Sequence, residues 1–303
     1  MRKGKRPHRF MQTGTDMVIV QLSGGLGNQM FEYALYLRLK ADGRKVKIDD
    51  RTCYGHAGER PLQLTEVFGA AYDRALEKEI RQMTDSFLDP VSRIKRKLLG
   101  RKDLSYREAG VNFDPEVLQR EPALLEGCFQ SERYFAPVAD EVKEAYRFRK
   151  ERLRLSERTG KLAGQIEDSR AVSVHVRRGD YLDASHGGIY EGICTAEYYE
   201  KAMEQIRRTV PDAVFYVFSN DTAWALEHFT GKDCVVAEGG TEDDGYQDMY
   251  LMSLCEHHII ANSSFSWWAA WLGKNPEKIV IAPKKWLNGT DCRDIYTEKM
   301  IRI

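Results

Sequence analysis

The sequence lacks the short motifs that identify several common enzyme and membrane-protein classes. Its six scattered cysteines contain no C-x-x-C pair, so neither a disulfide framework nor a zinc site is indicated. It has no apolar run long enough to span a bilayer and no apolar core of a signal peptide. The G-x-S-x-G, H-E-x-x-H and P-loop motifs are also absent. These absences favour a soluble, cytoplasmic protein without a metal site.

An excess of charge of either sign is also lacking, because 46 basic and 46 acidic residues cancel. A balanced chain argues against nucleic-acid binding, and a phosphorylated ligand would need a local cluster of basic residues. The first ten residues carry five basic side chains and no apolar run. We therefore predict that residues 1–16 form a disordered tail, with at most peripheral contact to the inner membrane face. The oligomeric state is left open.

Hydrophobic periodicity predicts an α/β chain with two domains. A β-type run over 17–22 leads through a glycine-rich loop into a helix ending near Gly43 and a strand at 45–49. Residues 60–165 have a mostly helical pattern, and a second alternation of strands and helices begins at Ala171. We therefore predict two Rossmann-like domains facing across a cleft. Their predicted ranges are 17–165 and 166–303.

The segment from His175 to Tyr181 ends a predicted strand in two arginines, a glycine and an aspartate. Arginine stays charged, and its planar fork of donors matches phosphate oxygens. Ligands of α/β proteins bind at the carboxyl ends of the strands. Arg177 and Arg178 therefore predict an anion site, such as one for a nucleotide diphosphate. The alternative is an arginine pair held by Asp180 on an ordinary loop.

The glycine-rich loop after the first strand has features of a dinucleotide-binding loop. Gly25 and Gly27 have the expected spacing, and acidic residues follow about twenty positions later. The third glycine of that fingerprint, which permits close packing of helix and strand, is replaced by Met30. Asn28 and Gln29 place two amides at the helix start, where they can cap the helix or face a ligand's hydroxyls. The alternative is a loop that only closes a turn.

Polar segments follow two strands of the second series. Residues 219–221 (Ser-Asn-Asp) stand where a strand gives way to a helix, so Asp221 is either an N-cap or an acceptor for the N–H groups of guanine. Residues 262–266 offer hydroxyls and backbone N–H groups at a helix start, where phosphates bind readily. Phe265 is predicted either to stack on a base or to be a core residue. The tryptophans of 267–271 have helical spacing and are predicted to be core.

Four segments together resemble the bacterial α1,2-fucosyltransferases. They are 24–31 (GGLGNQMF), 175–181 (HVRRGDY), 219–221 (SND) and 262–271 (NSSFSWWAAW). They stand in the family's order and spacing over nearly the whole chain past the tail. The resemblance implies a metal-independent, inverting glycosyltransferase of GT-B-like architecture that needs no cofactor. It implies GDP-β-L-fucose as donor and the 2-hydroxyl of a terminal β-galactoside glycan as acceptor.

The resemblance also implies roles for single residues. Arg177 matches the position that holds the β-phosphate, His175 would lie near the ribose or phosphate, and Asp180 would brace the arginines. Asp221 corresponds to the guanine-reading carboxylate, and Asn28 to an asparagine that faces the transferred sugar. The other donor contacts implied are Gly25, Gly27, Arg178, Ser219, Asn220, Ser263, Ser264 on phosphate and Phe265 on the base.

The sequence does not single out the general base that inversion requires. Asp180, Asp183, His186 and Glu191, at or after the arginine motif, are all candidates. Two other functions stay open: a nucleotide-dependent oxidoreductase that uses the glycine loop, and a non-catalytic glycan-binding protein on the same scaffold. The first predicts stabilisation by a nicotinamide nucleotide, whereas the fucosyltransferase hypothesis predicts stabilisation by GDP.

Overall fold

A computed structural model of the chain describes residues 16–54, 62–178, 188–237 and 244–303. Within these ranges the chain forms two sheets in which every strand pairing is parallel. No helix in the described ranges is both long and apolar enough to cross a membrane. Most of the predicted tail, together with Asp180, Asp183 and His186, lies outside the described residues.

The first sheet has four strands in the order β2-β1-β4-β3. The strands are β1 Val18–Gln21, β2 Val46–Asp49, β3 Ser105–Arg107 and β4 Ala123–Glu126. The helices of this half are α1 Leu26–Ala41, α2 Leu64–Phe68, α3 Glu77–Met83, α4 Pro90–Leu99 and α5 Ala139–Ala145. Strand β1 pairs with β2 on one side and β4 on the other, so the strand order reverses there. Such a reversal opens a crevice at the carboxyl ends of the strands.

The prediction that residues 60–165 are mostly helical was wrong at the two places that complete this sheet. Strands β3 and β4 both lie in that region, and β4 is buried beside β1. The run Ala123 to Leu125 is too short to show a period, and a short apolar run fits a buried strand as well as a helix. Its pairing with β1, which is distant in sequence, decides between the two.

The second sheet has six strands in the order β10-β9-β8-β5-β6-β7. They are β5 Arg170–Val176, β6 Ala213–Ser219, β7 Cys234–Val236, β8 His257–Ile259, β9 Val280–Ala282 and β10 Met300–Arg302. The helices are α6 Glu157–Glu167, α7 Ala196–Thr209, α8 Thr222–His228, α9 Gly245–Leu254 and α10 Ser264–Leu272. Read from β7, this is the Rossmann order, with its switch point between β5 and β8. The predicted α/β, GT-B-like fold is thereby confirmed.

The two halves are joined by aromatic packing between α1 and α10. Phe31 of α1 lies 4.6 Å from Trp267 and 4.7 Å from Trp268, measured between ring centroids. Phe135 stacks on Trp268 at 5.3 Å. Both tryptophans are fully buried, and one apolar core includes residues of both halves. The prediction that the tryptophans are core residues is confirmed, and the core they form fixes α10 against α1.

Helix α6 connects the two sheets in sequence and contains the predicted domain boundary at 165/166. Its Thr159 Oγ1 donates a hydrogen bond of 2.6 Å to Gln247 Oε1 on α9. The backbone N–H of Ser156, which caps α6, donates to the same oxygen at 3.2 Å. These bonds tie the helix to the second half of the chain, and the boundary itself stays a prediction.

Candidate active site

The predicted arginine motif begins where β5 ends, at the switch point of the second sheet. Val176, the last residue of β5, pairs with Ser219, the last residue of β6. On its other side β5 pairs with β8, after which the chain continues into the start of α10. The fold therefore brings Arg177, residues 219–221 and residues 262–265 to one edge of one sheet. Arg177 itself is half-buried there.

His175 lies inside this edge as a neutral side chain. Burial, with a contribution from the Arg177 charge, lowers its pKa to about 3. Its ring lies 5.6 Å from the ring of Phe265, and its Nδ1 has no hydrogen-bond partner among the described residues. A neutral imidazole supplies no positive charge to a phosphate at neutral pH. It can still exchange a hydrogen bond with a ligand hydroxyl.

Arg178 and Asp221 form an ion pair beside Arg177. Arg178 Nε lies 3.3 Å from Asp221 Oδ2, and the guanidinium stacks over the ring of Trp224 at 4.4 Å. The backbone N–H of Arg178 donates to Asn220 Oδ1 at 2.9 Å. Asp221 also caps α8, because its Oδ1 accepts from the Trp224 N–H at 3.1 Å. The N-cap predicted for 219–221 is therefore present, while the guanine-reading role of Asp221 stays a prediction.

The start of α10 contacts the glycine-rich loop of the first half through Asn28. Ser264 Oγ and Gln130 Nε2 both donate hydrogen bonds of 2.8 Å to Asn28 Oδ1. Gln130 follows β4 and Asn28 follows β1, the two strands at the switch point of the first sheet, while Ser264 begins α10 after β8, at the switch point of the second. The two switch points therefore meet at Asn28. The Asn28 amide is thus held by both halves through its oxygen, and its NH₂ group donates to none of the residues that the structure describes. The Ser264 hydroxyl proton is directed to Asn28 rather than away from the protein.

At Gly27 the backbones of the two halves approach each other closely. A Cβ atom there would lie 2.7 Å from Phe265 N and from the carbonyl carbon of Ser264. Trp268 Nε1 donates a hydrogen bond of 3.0 Å to the carbonyl oxygen of Gly27. The missing side chain is therefore used for contact with α10, not only for a turn. At Gly25, by contrast, a Cβ would meet nothing within 4 Å.

Gln29 and the acidic residues that suggested a dinucleotide site all have hydrogen-bond partners within the first half. Gln29 is buried, and its Nε2 donates to the carbonyl oxygen of Gly24 at 2.9 Å. Asp49 accepts two hydrogen bonds from Arg51, at 2.8 and 2.9 Å. Asp50 accepts from Tyr72 Oη and Arg74 Nε, at 2.8 and 2.7 Å. Both carboxylates are thereby engaged within the first half, which weighs against a role in holding a ribose.

Two carboxyl groups near the glycine-rich loop, on Glu32 and Glu108, are largely withdrawn from solvent and were not predicted as site residues. Glu32 on α1 is fully buried and accepts bonds from Ser23 N and Oγ, at 2.8 and 2.7 Å. Glu108 Oε2 accepts from the N–H groups of Cys128 and Phe129, at 2.9 and 3.1 Å. Its buried Oε1 has no hydrogen-bond partner among the described residues. Burial raises the pKa of both groups, and Glu108 adds to the effect on Glu32.

These raised pKa values predict how stability depends on pH. A carboxyl group whose pKa is higher in the folded than in the unfolded chain favours folding below its usual pKa, and this contribution is lost as pH rises through the folded value. We expect Glu32→Gln to gain stability relative to the wild type on going from pH 5 to pH 8. Urea unfolding midpoints at the two pH values measure this.

Glu79 supplies a control of opposite sign for that measurement. Burial raises its pKa, but hydrogen bonds from Lys47 and the Leu76 N–H outweigh this and the net pKa is lowered. Glu79→Gln should therefore lose stability relative to the wild type at pH 5 and pH 8 alike. A Glu32→Gln variant whose difference from wild type does not change with pH would contradict the account.

A sequence comparison identifies the family to which this arrangement belongs. The chain matches the family described as Glycosyl transferase family 11 over residues 17–301. The chain belongs to glycosyltransferase family 11. Membership of family 11 agrees with the resemblance based on the four motifs, and it makes the chain a glycosyltransferase. Among the described residues, no group of three His, Cys, Asp or Glu side chains is placed to hold a metal ion.

Relatives of this family 11 chain carry out related transfers, according to their names. The "O-antigen biosynthesis glycosyltransferase WbnK" of Escherichia coli is 30% identical, over 93% of this chain and 99% of the relative. The "Alpha-1,2-colitosyltransferase" of Escherichia coli is also 30% identical, over 95% and 99%. The rat "Galactoside alpha-(1,2)-fucosyltransferase 1" is 37% identical, over 33% of this chain and 27% of the relative.

A solved structure with a similar fold is a NodZ alpha-1,6-fucosyltransferase soaked with GDP-fucose. The similarity has a TM-score of 0.49 at 15% identity, covering 88% of the family 11 chain and 95% of the other.

Proposed function

We propose that this family 11 glycosyltransferase transfers L-fucose from GDP-β-L-fucose to the 2-hydroxyl of a terminal β-galactoside, with inversion and without a metal. The observation that carries the proposal is the position of Arg177. It lies at the switch point of the second sheet, beside the start of α10, where Rossmann-like sheets bind nucleotides. Family membership supports the transfer of a sugar.

The leaving group in this reaction is GDP, on which negative charge grows as the glycosidic bond breaks. Arg177 supplies a permanent positive charge and paired donors for the β-phosphate. The N–H groups of the first turn of α10 add partial positive charge at the same edge. Fixed donors of this kind stabilise developing charge without reorganising during the reaction. His175, neutral and buried, would bind a hydroxyl or phosphate oxygen as a hydrogen-bond partner and not as a cation.

Asn28 is proposed to orient the transferred sugar from the opposite side. Its amide is fixed by Gln130 from the first half and by Ser264 from the second. A donor fixed in this way holds its orientation when the sugar binds. The amide oxygen also accepts the hydrogen bond from Ser264, the first residue of α10. Asn28 therefore links the proposed contact with the sugar to the proposed contact with the phosphates.

The nature of the transferred sugar is tested by direct comparison of donors. Colitose, the sugar in the name of one relative, is L-fucose without its 3-hydroxyl, so a site that holds fucose also has room for colitose. The enzyme is incubated with GDP-fucose or GDP-colitose and a panel of β-galactosides, and the product linkage is determined by NMR. We expect fucosyl transfer to the 2-hydroxyl of galactose. Transfer from GDP-colitose but not from GDP-fucose would show that the donor sugar is colitose and not fucose. Transfer from neither would contradict the proposal.

The proposed guanine contact of Asp221 can be separated from its capping role. Asn is as good an N-cap as Asp, so Asp221→Asn should keep α8 stable, whereas Asp221→Ala should lose about 0.5–2 kcal/mol. Loss of the carboxylate should weaken GDP binding by about ten- to a hundredfold in both variants. Thermal unfolding and GDP titration measure the two effects.

Asp89→Asn is the matched control, because Asp89 caps α4 through a bond of 2.9 Å from the Ser92 N–H. This substitution should leave GDP binding unchanged. An Asp221→Asn variant that binds GDP as the wild type does would remove Asp221 from the donor site.

A further inference from the structure

Helix α4, Pro90–Leu99, lies on the surface of the protein, and its apolar side chains are exposed. It has a complete set of end signals: Asp89 caps it, Pro90 begins it, and Gly100 follows it at φ +79°. None of its residues is buried. A surface helix ordinarily turns its apolar stripe to the core. In α4 this orientation is reversed.

The exposed apolar residues of this segment follow one another closely along the chain, and we call them together the α4 patch. Of the eleven large apolar side chains that are exposed in the described ranges, five lie between 88 and 99. They are Leu88, Val91, Ile94, Leu98 and Leu99. Val91 and Leu98 are 75% and 77% exposed, and with Ile94 they follow the spacing of a single helix face. A patch this concentrated indicates a binding surface.

Arg96 holds the opposite side of the helix to the protein. Its Nη1 and Nη2 donate to the carbonyl oxygens of Asp85 and Phe87, at 3.0 and 2.6 Å. Its guanidinium also lies 3.6 Å from the Asp85 carboxylate. At 3.6 residues per turn, Arg96 falls on the far side of the helix from Ile94 and Leu98. The polar anchor therefore keeps the α4 patch directed away from the body of the protein.

Positive charge surrounds the α4 patch. Between residues 90 and 102 the sequence has six basic residues and no acidic one. They are Arg93, Lys95, Arg96, Lys97, Arg101 and Lys102. Arg96 pairs with Asp85 on the far side of the helix and Arg101 with Asp103, so Arg93, Lys95, Lys97 and Lys102 are the residues that edge the patch. Long basic side chains bury their stems along apolar surface and keep their charges at a polar boundary. An apolar helix face edged by cations is the pattern of helices that lie in the interface of an anionic bilayer.

We propose that the α4 patch docks the protein on an anionic lipid surface. A second copy of the chain fits less well, because a symmetric contact would bring the same basic residues against themselves. Leu88 also lines a groove of about 330 Å³ with Gln21 and Glu126, the last residues of β1 and β4. The patch thus adjoins the carboxyl edge of the first sheet. The docking does not depend on the proposed reaction.

Flotation of the full chain with lipid vesicles, in the absence of any sugar nucleotide, tests the proposal. We expect binding to vesicles of phosphatidylglycerol and phosphatidylcholine, and at least about tenfold less to phosphatidylcholine alone. The double variants Ile94→Ser with Leu98→Ser, and Lys95→Glu with Lys97→Glu, should each lose at least about tenfold of the binding to anionic vesicles. All four residues are exposed, so folding should persist, which circular dichroism checks.

The controls are Leu226→Ser, an exposed leucine on α8, and Lys161→Glu with Lys201→Glu, two exposed lysines on other helices. Both control variants should bind as the wild type does. The proposal is overturned if the wild type does not bind, or if the α4 variants bind equally well, which would assign binding to another segment such as the basic tail. It is also overturned if light scattering shows that Ile94→Ser with Leu98→Ser converts a dimer to a monomer.

Discussion

Replacing Arg177 by alanine should abolish transfer while leaving the protein folded. Arg177 directly follows Val176, the last residue of β5, and is half-buried. Its replacement by alanine therefore removes a charge without opening the core. Loss of one preorganised donor to developing charge costs about 10²–10³ in rate. We expect that decrease in kcat/KM for the donor, together with weaker binding of GDP. Arg177→Lys should recover only part of the rate, because lysine has no fork of paired donors.

Arg170, at the other end of the same strand, supplies the matched control. It is exposed and pairs with Glu256 at 2.9 Å, far along β5 from the proposed site. Arg170→Ala should leave transfer unchanged, since an exposed ion pair contributes little. If Arg177→Ala kept even about a tenth of the wild-type rate, Arg177 could not be the leaving-group contact that is assigned here.

Gly27→Ala should damage both activity and stability. Helix propensity alone predicts the opposite, because alanine within a helix is usually more stable than glycine by about 0.5–1 kcal/mol. At this position, however, the added Cβ would lie 2.7 Å from backbone atoms of Ser264 and Phe265. Backbone at a helix start cannot move aside cheaply, so α10 must shift away from α1. Overpacking of this kind costs about 1–3 kcal/mol.

The shift of α10 should lower activity as well as stability. The start of α10 is part of the proposed donor site, and a displacement of about 1 Å can lower a rate by about 10²-fold. Gly164→Ala, within α6, is the control, since a Cβ there meets nothing within 4 Å. Thermal unfolding and kcat are measured for both variants. Equal behaviour of the two glycine variants would mean that the close approach at Gly27 has no functional role.

The sequence was sufficient to predict the features that depend on local pattern. Glycine and apolar periodicity located α1 and the strand that carries His175 and ends just before Arg177. The tryptophans of α10 were predicted as core from their spacing, and they are. The apolar run Ile259 to Ala261 locates strand β8 only approximately, because the strand lies at His257–Ile259 and so short a run does not fix its ends.

Features that depend on contacts between distant residues could not be read in this way. Nothing near Gly27 indicates that the backbone of Phe265 lies against it, because the two lie 238 positions apart in the sequence. The contact between Gln130 and Asn28 is of the same kind. Glu32 did leave a trace, as a lone acid within the apolar run of α1, which implies a buried partner. Glu108 left none.

Arg178 shows how a prediction can name the right kind of interaction and leave its partner open. The sequence suggested Asp180, its near neighbour, as the acid that braces it. The structure shows Asp221, which the parallel pairing of β5 with β6 brings beside it. Asp180 lies outside the described residues, so its role stays a prediction.

The most direct test of the central claim is calorimetric titration of the wild type and Arg177→Ala with GDP, GMP and NAD. If Arg177 holds the β-phosphate, the wild type should bind GDP about ten- to a hundredfold more tightly than GMP. The variant should bind the two nucleotides with similar affinity, and neither protein should bind NAD. Equal affinity of the wild type for GDP and GMP, or tight binding of NAD, would contradict the diphosphate site at the end of β5.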